Sequence, residues 1–394
     1  MKLLFLANRI PYPPYRGDKL KIYNLATRLS EEHELILVTF TQTEEDKKYK
    51  DELLKVFKEV HLVHLPSWRS ALNCIAALWR SLPLQVLYFQ SASMRRLLND
   101  VLRKHSFDAI HVQHLRMAPY LSGRKDLKRI LDLPDAFSLY WERRKKIRRG
   151  FLRSAFENIE QKRILRYENV IKDYQLSLVC SLEDLTYLQN LHKVKNIRLL
   201  PNGVDLTTFY SREHDYTHGS TLLFTGNMDY APNVDAVAYF VSDILPLIHL
   251  KYPDVTFIIA GQRPVEKVLD LANEKVHVTG FIKDLSEVYN SASVVVAPLR
   301  FGAGTQNKVL EAMAMGVPVV CTNIGFLGLG IQSGEGAIMQ TDADKFAESV
   351  CDLLGSAALR KEVGEKGMSI VRTKFDWNVV AATLESYFRE IARS

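Results

Sequence analysis

Short runs of leucine, isoleucine and valine alternate along the chain with longer stretches whose apolar residues recur every third or fourth position. Runs apolar on both sides predict buried strands over 2–7, 34–40, 61–65, 109–112, 129–133 and 177–180. The amphipathic stretches between them predict helices over 19–29, 46–57, 71–80 and 93–104. A longer helical pattern brings Ile147, Phe151, Ala155 and Ile159 round at intervals of four, which predicts one buried helix face. The rhythm pauses at Pro201-Asn202-Gly203-Val204-Asp205 and then restarts. Strands are predicted over 222–225, 255–260, 276–279, 294–297 and 317–321, with helices over 234–249, 265–273, 285–290 and 308–315. A last amphipathic helix over 377–391 puts Val380, Leu384, Tyr387 and Ile391 on one face.

Strand–helix alternation with strands apolar on both sides marks parallel α/β sheets. Two such series joined by a turn-rich hinge predict two Rossmann-like domains with a cleft between. The first is expected over 1–198, completed by the terminal helix from 376 to 394, and the second over 199–375. A length of 394 residues suits this division, because one core rarely grows so large. At 47% hydrophobic and 25% charged, the composition is that of a folded globular protein.

Cysteines 74, 180, 321 and 351 form no C-x-x-C pair. That argues against a zinc site or a disulfide scaffold and suits a reducing cytoplasm. The apolar run behind Met1 is broken by Asn8, Arg9 and three prolines, and no other stretch reaches the roughly 20 apolar residues of a spanning helix. No membrane-crossing segment is therefore expected. The formal charge of +7 is concentrated in Arg143, Arg144, Lys145, Lys146, Arg148 and Arg149, with Arg153 following. Such a run is a solvated helix start, a contact for anionic lipid headgroups or a lipid-phosphate acceptor, or a nucleic-acid patch. No recognition helix, zinc finger or RNA-binding motif accompanies it, so nucleic acid is not expected as a partner.

Ligands of open α/β sheets sit beyond the carboxyl ends of the strands. The most informative end is the segment 294–320, where an apolar strand reaches Pro298, a loop holds Gly302 and Gly304, and a helix is expected to begin near Thr305. N–H groups at a helix start favour an anion such as a diphosphate, and Arg300 and Lys308 flank the loop with positive charge. Two turns into the helix, Glu311 offers a carboxylate able to accept two hydrogen bonds from a ribose diol. Taken alone, the loop also reads as an ordinary crossover in which Glu311 only caps or pairs. In the first series, Asp108-Ala109-Ile110-His111-Val112-Gln113-His114 ends a strand with two histidines, of which His114 is the better placed to leave it. Asp132 and Glu168 are weaker candidates, each as readily part of a structural ion pair.

The string Lys308-Val309-Leu310-Glu311-Ala312-Met313-Ala314-Met315-Gly316-Val317-Pro318-Val319-Val320 resembles the nucleotide-binding signature of GT-B-fold glycosyltransferases, in the retaining group called family 4. Pro201-Asn202-Gly203-Val204-Asp205 is similar to that group's interdomain turn. Gly280-Phe281-Ile282-Lys283-Asp284 is similar to its base-binding loop, and Phe375-Asp376-Trp377 to the opening of its final helix. Arg16-Gly17-Asp18-Lys19 after Pro11, Pro13 and Pro14 is similar to a subset associated with bacterial exopolysaccharide assembly.

The resemblance implies a GT-B fold and metal-independent hexosyl transfer from a nucleotide sugar, with retention of configuration. The acceptor it implies is lipid-linked or a saccharide, and no cofactor is called for. It places donor contacts at Gly17, Gly226, Asn227, Ile282, Gly302, Gly304, Thr305, Gln306, Asn307, Val309 and Glu311, and catalytic contacts at His114, Arg300 and Lys308. Two departures stand out. Ala303 replaces the glutamate common eight positions before Glu311, and Asn227 and Pro232-Asn233 stand where the family tends to carry an Arg and a Lys on the diphosphate. Arg300 and Lys308 are therefore expected to supply that charge, since a buried diphosphate needs cations. The basic run 143–149 is expected to meet an anionic membrane surface, with the protein cytoplasmic or peripheral on the inner face of the cell membrane. Three rival readings remain: a nucleotide-sugar epimerase of similar fold, a dehydrogenase and an inactive scaffold. The first strand leads into residues 11–17 rather than G-x-G-x-x-G, which disfavours the dehydrogenase.

Overall fold

The computed structural model describes residues 1–14, 17–75, 81–145, 151–210, 214–217, 219–302 and 304–393. They form two units, Met1–Pro201 with Val380–Ser394, and Asn202–Val379. The boundaries fall within a few residues of the sequence-based division.

The first unit is built on β1 (Lys2–Ala7), β2 (Glu34–Thr41), β3 (Glu59–His64), β4 (Ala109–Gln113), β5 (Arg129–Leu133), β6 (Leu176–Val179) and β7 (Ile197–Leu199). All pair in parallel, in the order β3-β2-β1-β4-β5-β6-β7. Central β1 sets Leu4 between Ile36 and Ile110, and apolar side chains fill both faces as the unbroken runs require. The second unit carries β8 (Thr221–Thr225), β9 (Thr256–Ala260), β10 (Val276–Gly280), β11 (Val294–Ala297), β12 (Val319–Cys321) and β13 (Ala337–Met339). Their order is β10-β9-β8-β11-β12-β13, again parallel throughout. Each sheet reverses direction beside its first strand, at β1/β4 and at β8/β11, and such switch points open a crevice at the carboxyl ends.

Several sequence expectations need correction. Strands β7 and β13 were not expected, and at three residues each they are too short to carry a pattern. The helix expected over 46–57 is a 3-10 turn, Glu45–Tyr49, followed by Lys50–Leu54, and the one over 265–273 shrinks to Glu266–Leu269. Residues 76–80 and Ile147 lie outside the described residues. Among the described side chains of helix Phe151–Tyr167 the buried positions are Glu157, Glu160 and Ile164, whereas Ala155 and Ile159 are exposed. The described part of the four-residue stripe, Ala155 and Ile159, therefore lies on the outer face, and the side chain of Phe151 is outside the described residues. Among the described residues the helical stretch Ala231–His249 is long and apolar enough to cross a membrane. It belongs to the core of the second unit, where Ala236, Val237, Phe240, Ile244 and Ile248 are buried.

The turn at 201–205 and the motif at 375–377 fold together. Val204 bridges Asp376 and its N–H donates to the Phe375 carbonyl at 2.7 Å. Trp377 packs against Gly203, where an added Cβ would stand 2.5 Å from the ring.

Candidate functional site

The crevice at β8/β11 is lined by polar groups that the strand ends deliver. Thr225 closes β8, and Gly226 follows with φ +155°. A Cβ there would approach Asn233 Nδ2 to 2.6 Å, so only glycine admits this contact. Asn233 Nδ2 donates to the Asn227 carbonyl at 2.9 Å, and Gln262 Nε2 donates to Asn227 Oδ1 at 2.7 Å. Gly261 after β9 also has positive φ, +152°, and an added Cβ would fall 1.7 Å from the Gly226 carbonyl oxygen. Two adjacent strand ends are thus pressed together by paired glycines.

The loop after β11 passes through Gly302 (φ +145°) and Gly304 (φ +75°) into helix Asn307–Ala314. Gln306 is its N-cap residue and supplies no side-chain cap. One residue into the helix, Lys308 turns inward and is buried. Its Nζ donates to Asn233 Oδ1 at 3.2 Å and Gln306 Oε1 at 3.3 Å, and it lies 5.1 Å from the Phe224 ring centre. Burial pushes its ammonium down to about 8 against the pull of Glu311. Glu311 sits one turn on. The Tyr289 hydroxyl donates to its Oε2 at 2.9 Å and meets Thr225 Oγ1 at 2.7 Å. Burial raises the Glu311 carboxyl, partly offset by Tyr289 and Lys308. Among the described residues Oε1 of Glu311 has no partner, so the carboxylate keeps one acceptor for a ligand.

At the corresponding end of the first sheet, His114 follows β4 with φ +76°, an uncommon conformation for a side chain of this size. Its Nδ1 accepts from the Arg116 backbone N–H at 3.3 Å, leaving the proton on Nε2, and its ring packs on Phe137. Burial, with Arg116 and Arg9 nearby, holds this imidazole well below its usual range, so it is a neutral donor at pH 7. Asp132 is committed elsewhere. It takes Lys21 Nζ at 2.8 Å and His111 Nε2 at 3.2 Å. Glu168 accepts from Ser138 N and Ser138 Oγ and faces His192 Nε2 at 3.4 Å, a buried structural cluster.

The structure brings Gly226, Asn227, Lys308 and Glu311 to one crevice rim with the Gly302–Gly304 loop. Asn307 Oδ1 accepts from Asn202 Nδ2 at 2.9 Å. Val309 is core, and Ile282 is half-buried beyond Gly280. Thr305 precedes the helix rather than starting it. Ala303 and Arg16 lie outside the described residues; Gly17 opens helix Gly17–Leu29.

Two groups of expected cations already have acidic partners. Arg300 is half exposed and bound bidentately by Asp235 at 2.8 and 2.6 Å, over the Tyr239 ring, so its charge is already matched. In the basic run, Arg143 pairs with Glu183, and Arg144 pairs with Glu157 at 2.9 Å while stacking near Trp141. Both are largely covered. Lys146, Arg148 and Arg149 lie outside the described residues, as does the side chain of Lys145.

Sequence reasoning passed over Tyr289, Gly261 and Lys21, and it marked Asn233 only as a departure from the family pattern, not as a partner of Lys308. Tyr289 reads as one more apolar position of helix Leu285–Ser291. Gly261 carried a usable signal, since it follows β9 immediately, as Gly226 follows β8.

Residues 219–356 match the family model described as Glycosyl transferases group 1. A protein of Klebsiella pneumoniae, described as an uncharacterized 44.6 kDa protein in the cps region, is 22% identical over 402 residues, covering 97% of this chain and 98% of that protein. The phosphatidyl-myo-inositol mannosyltransferase of Mycobacterium leprae is 28% identical over 205 residues, 50% of this chain and 54% of that one. That alignment therefore spans about half of each. The solved structure of Anabaena HepE in complex with UDP-glucose superposes with a TM-score of 0.69 at 14% identity, covering 99% of this chain and 100% of that one. Residues 219–356 are thus similar to a group 1 glycosyl transferase domain, within a chain whose two parallel sheets have the GT-B fold.

Proposed function

We propose that the protein is a metal-independent glycosyltransferase, moving a hexose-type sugar from a nucleoside-diphosphate sugar to a lipid-linked or saccharide acceptor in bacterial polysaccharide or glycan synthesis. The observation that carries this reading is Lys308, a buried ammonium with only amide oxygens for partners, one turn from Glu311 at the β8/β11 crevice. A buried cation hydrogen-bonded to neutral oxygens, whose nearest carboxylate Glu311 is engaged by Tyr289, favours an anionic ligand, and the start of helix Asn307–Ala314, which has no side-chain cap, adds N–H donors beside it. The UDP-glucose held by HepE and the mannosyltransferase relative support a nucleotide-sugar donor.

On this reading the diphosphate lies against Lys308, Gly302 and Gly304, and Glu311 accepts from the ribose hydroxyls. His114 donates from Nε2 to a sugar hydroxyl. The acceptor hydroxyl attacks the anomeric carbon on the face the diphosphate leaves, which gives retention. The bond from that carbon to the phosphate oxygen breaks, a new carbon–oxygen bond forms, and the hydroxyl proton passes to the departing phosphate. Lys308 stabilises the charge that develops there. The acceptor is placed at the inner face of the cell membrane, in keeping with the lipid substrate named for the mycobacterial relative.

A panel of nucleotide sugars screened by thermal shift, followed by radiolabel transfer to lipid extract, tests the proposal. One donor is expected to stabilise the fold and to be consumed equally with EDTA present, with the product anomer retained. Donor binding with neither transfer nor hydrolysis would leave a scaffold and sink the enzyme reading.

A further inference from the structure

Two neighbouring helices of the first unit turn their apolar side to solvent. In Ser67–Ile75, Ser70 is buried and Asn73 and Cys74 are half-buried, while Trp68, Leu72 and Ile75 are 61%, 56% and 59% exposed. Their spacing of four and three places them on one face. In Phe151–Tyr167 the acids Glu157 and Glu160 are buried, while Phe156 and Ile159 are 47% and 54% exposed. The helices meet at Leu84, whose N–H donates to Glu160 Oε1 at 2.7 Å and whose carbonyl takes the Cys74 thiol at 3.8 Å. Burying two carboxylates while exposing five large apolar side chains costs free energy in water twice over.

The charge around this face says what covers it. The only charged residue of Ser67–Ile75 is Arg69, and it is exposed. Phe151–Tyr167 exposes Lys162 and Arg166, and its only acids are the two buried glutamates. Both helices therefore offer solvent apolar groups and cations, with no carboxylate. A second copy of this face would set like charges against each other. An anionic bilayer matches both properties, since apolar side chains enter the acyl boundary while Arg and Lys stay among the phosphates.

We propose that the face formed by Ser67–Ile75 and Phe151–Tyr167 inserts into the headgroup region of an anionic lipid bilayer. Trp68, Leu72, Ile75, Phe156 and Ile159 enter it, and Arg69, Lys162 and Arg166 hold the phosphates. This deepens the membrane part of the proposed function, and it replaces Arg143 and Arg144 as the contact, because those side chains are paired internally.

Flotation with phosphatidylcholine vesicles, with and without phosphatidylglycerol, tests it on the full chain. The wild type is expected to float with anionic vesicles and to keep part of that binding in high salt, because apolar insertion is not screened. Combined Leu72→Gln, Ile75→Gln, Phe156→Gln and Ile159→Gln are expected to cut vesicle binding by about tenfold or more, with the thermal midpoint unchanged. A vesicle-induced blue shift of tryptophan emission is expected to vanish in Trp68→Phe. The idea is overturned if the fourfold variant floats like the wild type, or if the wild type floats with neither vesicle. It is equally overturned if light scattering shows a dimer that these substitutions dissolve. Transfer to a detergent-dispersed acceptor is expected to be untouched by them, so failure here and failure of the transferase reading are separately visible.

Discussion

The two sheets share one strand order, and among the described residues each unit buries one lysine close to its strand ends. In the first unit Lys21 has a full counter-charge. Asp132 stands 2.8 Å from its Nζ and the Leu200 carbonyl 3.0 Å, and the other Asp132 oxygen meets His111. Burial alone would raise the Asp132 carboxyl, but Lys21 and His111 outweigh it and hold it below its usual range. In the second unit Lys308 has two neutral amide oxygens and an aromatic face, with Glu311 a turn away and engaged by Tyr289. Its ammonium is accordingly pushed down to about 8 by burial. The same topology thus gives a closed ion pair in one case and a lysine held by neutral groups in the other, which the proposed function reads as an anion site. The difference lies in where the counter-charge is expected to come from.

Removing each cation separates the two roles. Lys21→Met leaves Asp132 buried with only His111 beside it, and losing one partner of a buried pair costs about 3–5 kcal/mol. A thermal midpoint lower by roughly 10 °C is expected. Lys308→Met removes a poorly compensated charge instead, so the midpoint should hold or rise slightly. Donor affinity by titration calorimetry should then fall about a hundredfold, near 2.7 kcal/mol. If Lys308→Met lowers the thermal midpoint as much as Lys21→Met does, Lys308 is structural and the contrast collapses.

The contrast shows why part of the site was legible in the sequence and part was not. Strands β1, β5 and β11 fall at their expected residues, because runs apolar on both sides leave no other buried arrangement. Lys308 and Glu311 stood out because they lie three residues apart on one helix, and local spacing survives in sequence. Their partners do not. Tyr289 is 22 residues from Glu311, and Asn233 is 75 from Lys308. Arg300 looked available for the same reason, since Asp235 lies 65 residues earlier. Helix Phe151–Tyr167 failed differently. Its residues admit both an apolar and a carboxylate face at helical spacing, and periodicity cannot say which one turns inward.

Titration sharpens the Lys308 side of the comparison with a smaller effect. A bound diphosphate favours the charged ammonium, so above pH 8 binding must take up a proton. Donor affinity is expected to be level below pH 8 and to fall by up to about tenfold per pH unit above it. The stability of the free protein should move the opposite way. An unfolded lysine keeps its proton to about 10.5, so between pH 8 and that value the unfolded chain binds more protons and folding gains as pH rises. Lys308→Met should abolish both slopes. An affinity profile flat from pH 7 to pH 9 in the wild type would mean that another group carries the anion.

The smallest effect is expected at Arg300, the cation that sequence alone ranked beside Lys308. Its guanidinium is held by both oxygens of Asp235 and stays half exposed, so any anion it meets must compete with a carboxylate already in place. A solvent-exposed pair of this kind contributes about 0.2–1 kcal/mol to folding. Arg300→Ala should therefore lower the thermal midpoint by roughly 1–3 °C and change donor affinity less than about threefold. Asp235→Asn frees the guanidinium without removing it. If its charge is withheld from the donor only by Asp235, this variant binds the donor more tightly than the wild type while Arg300→Ala does not weaken it. A hundredfold loss in Arg300→Ala would instead make Arg300 the equal of Lys308, and the distinction between matched and unmatched cations would no longer mark the site.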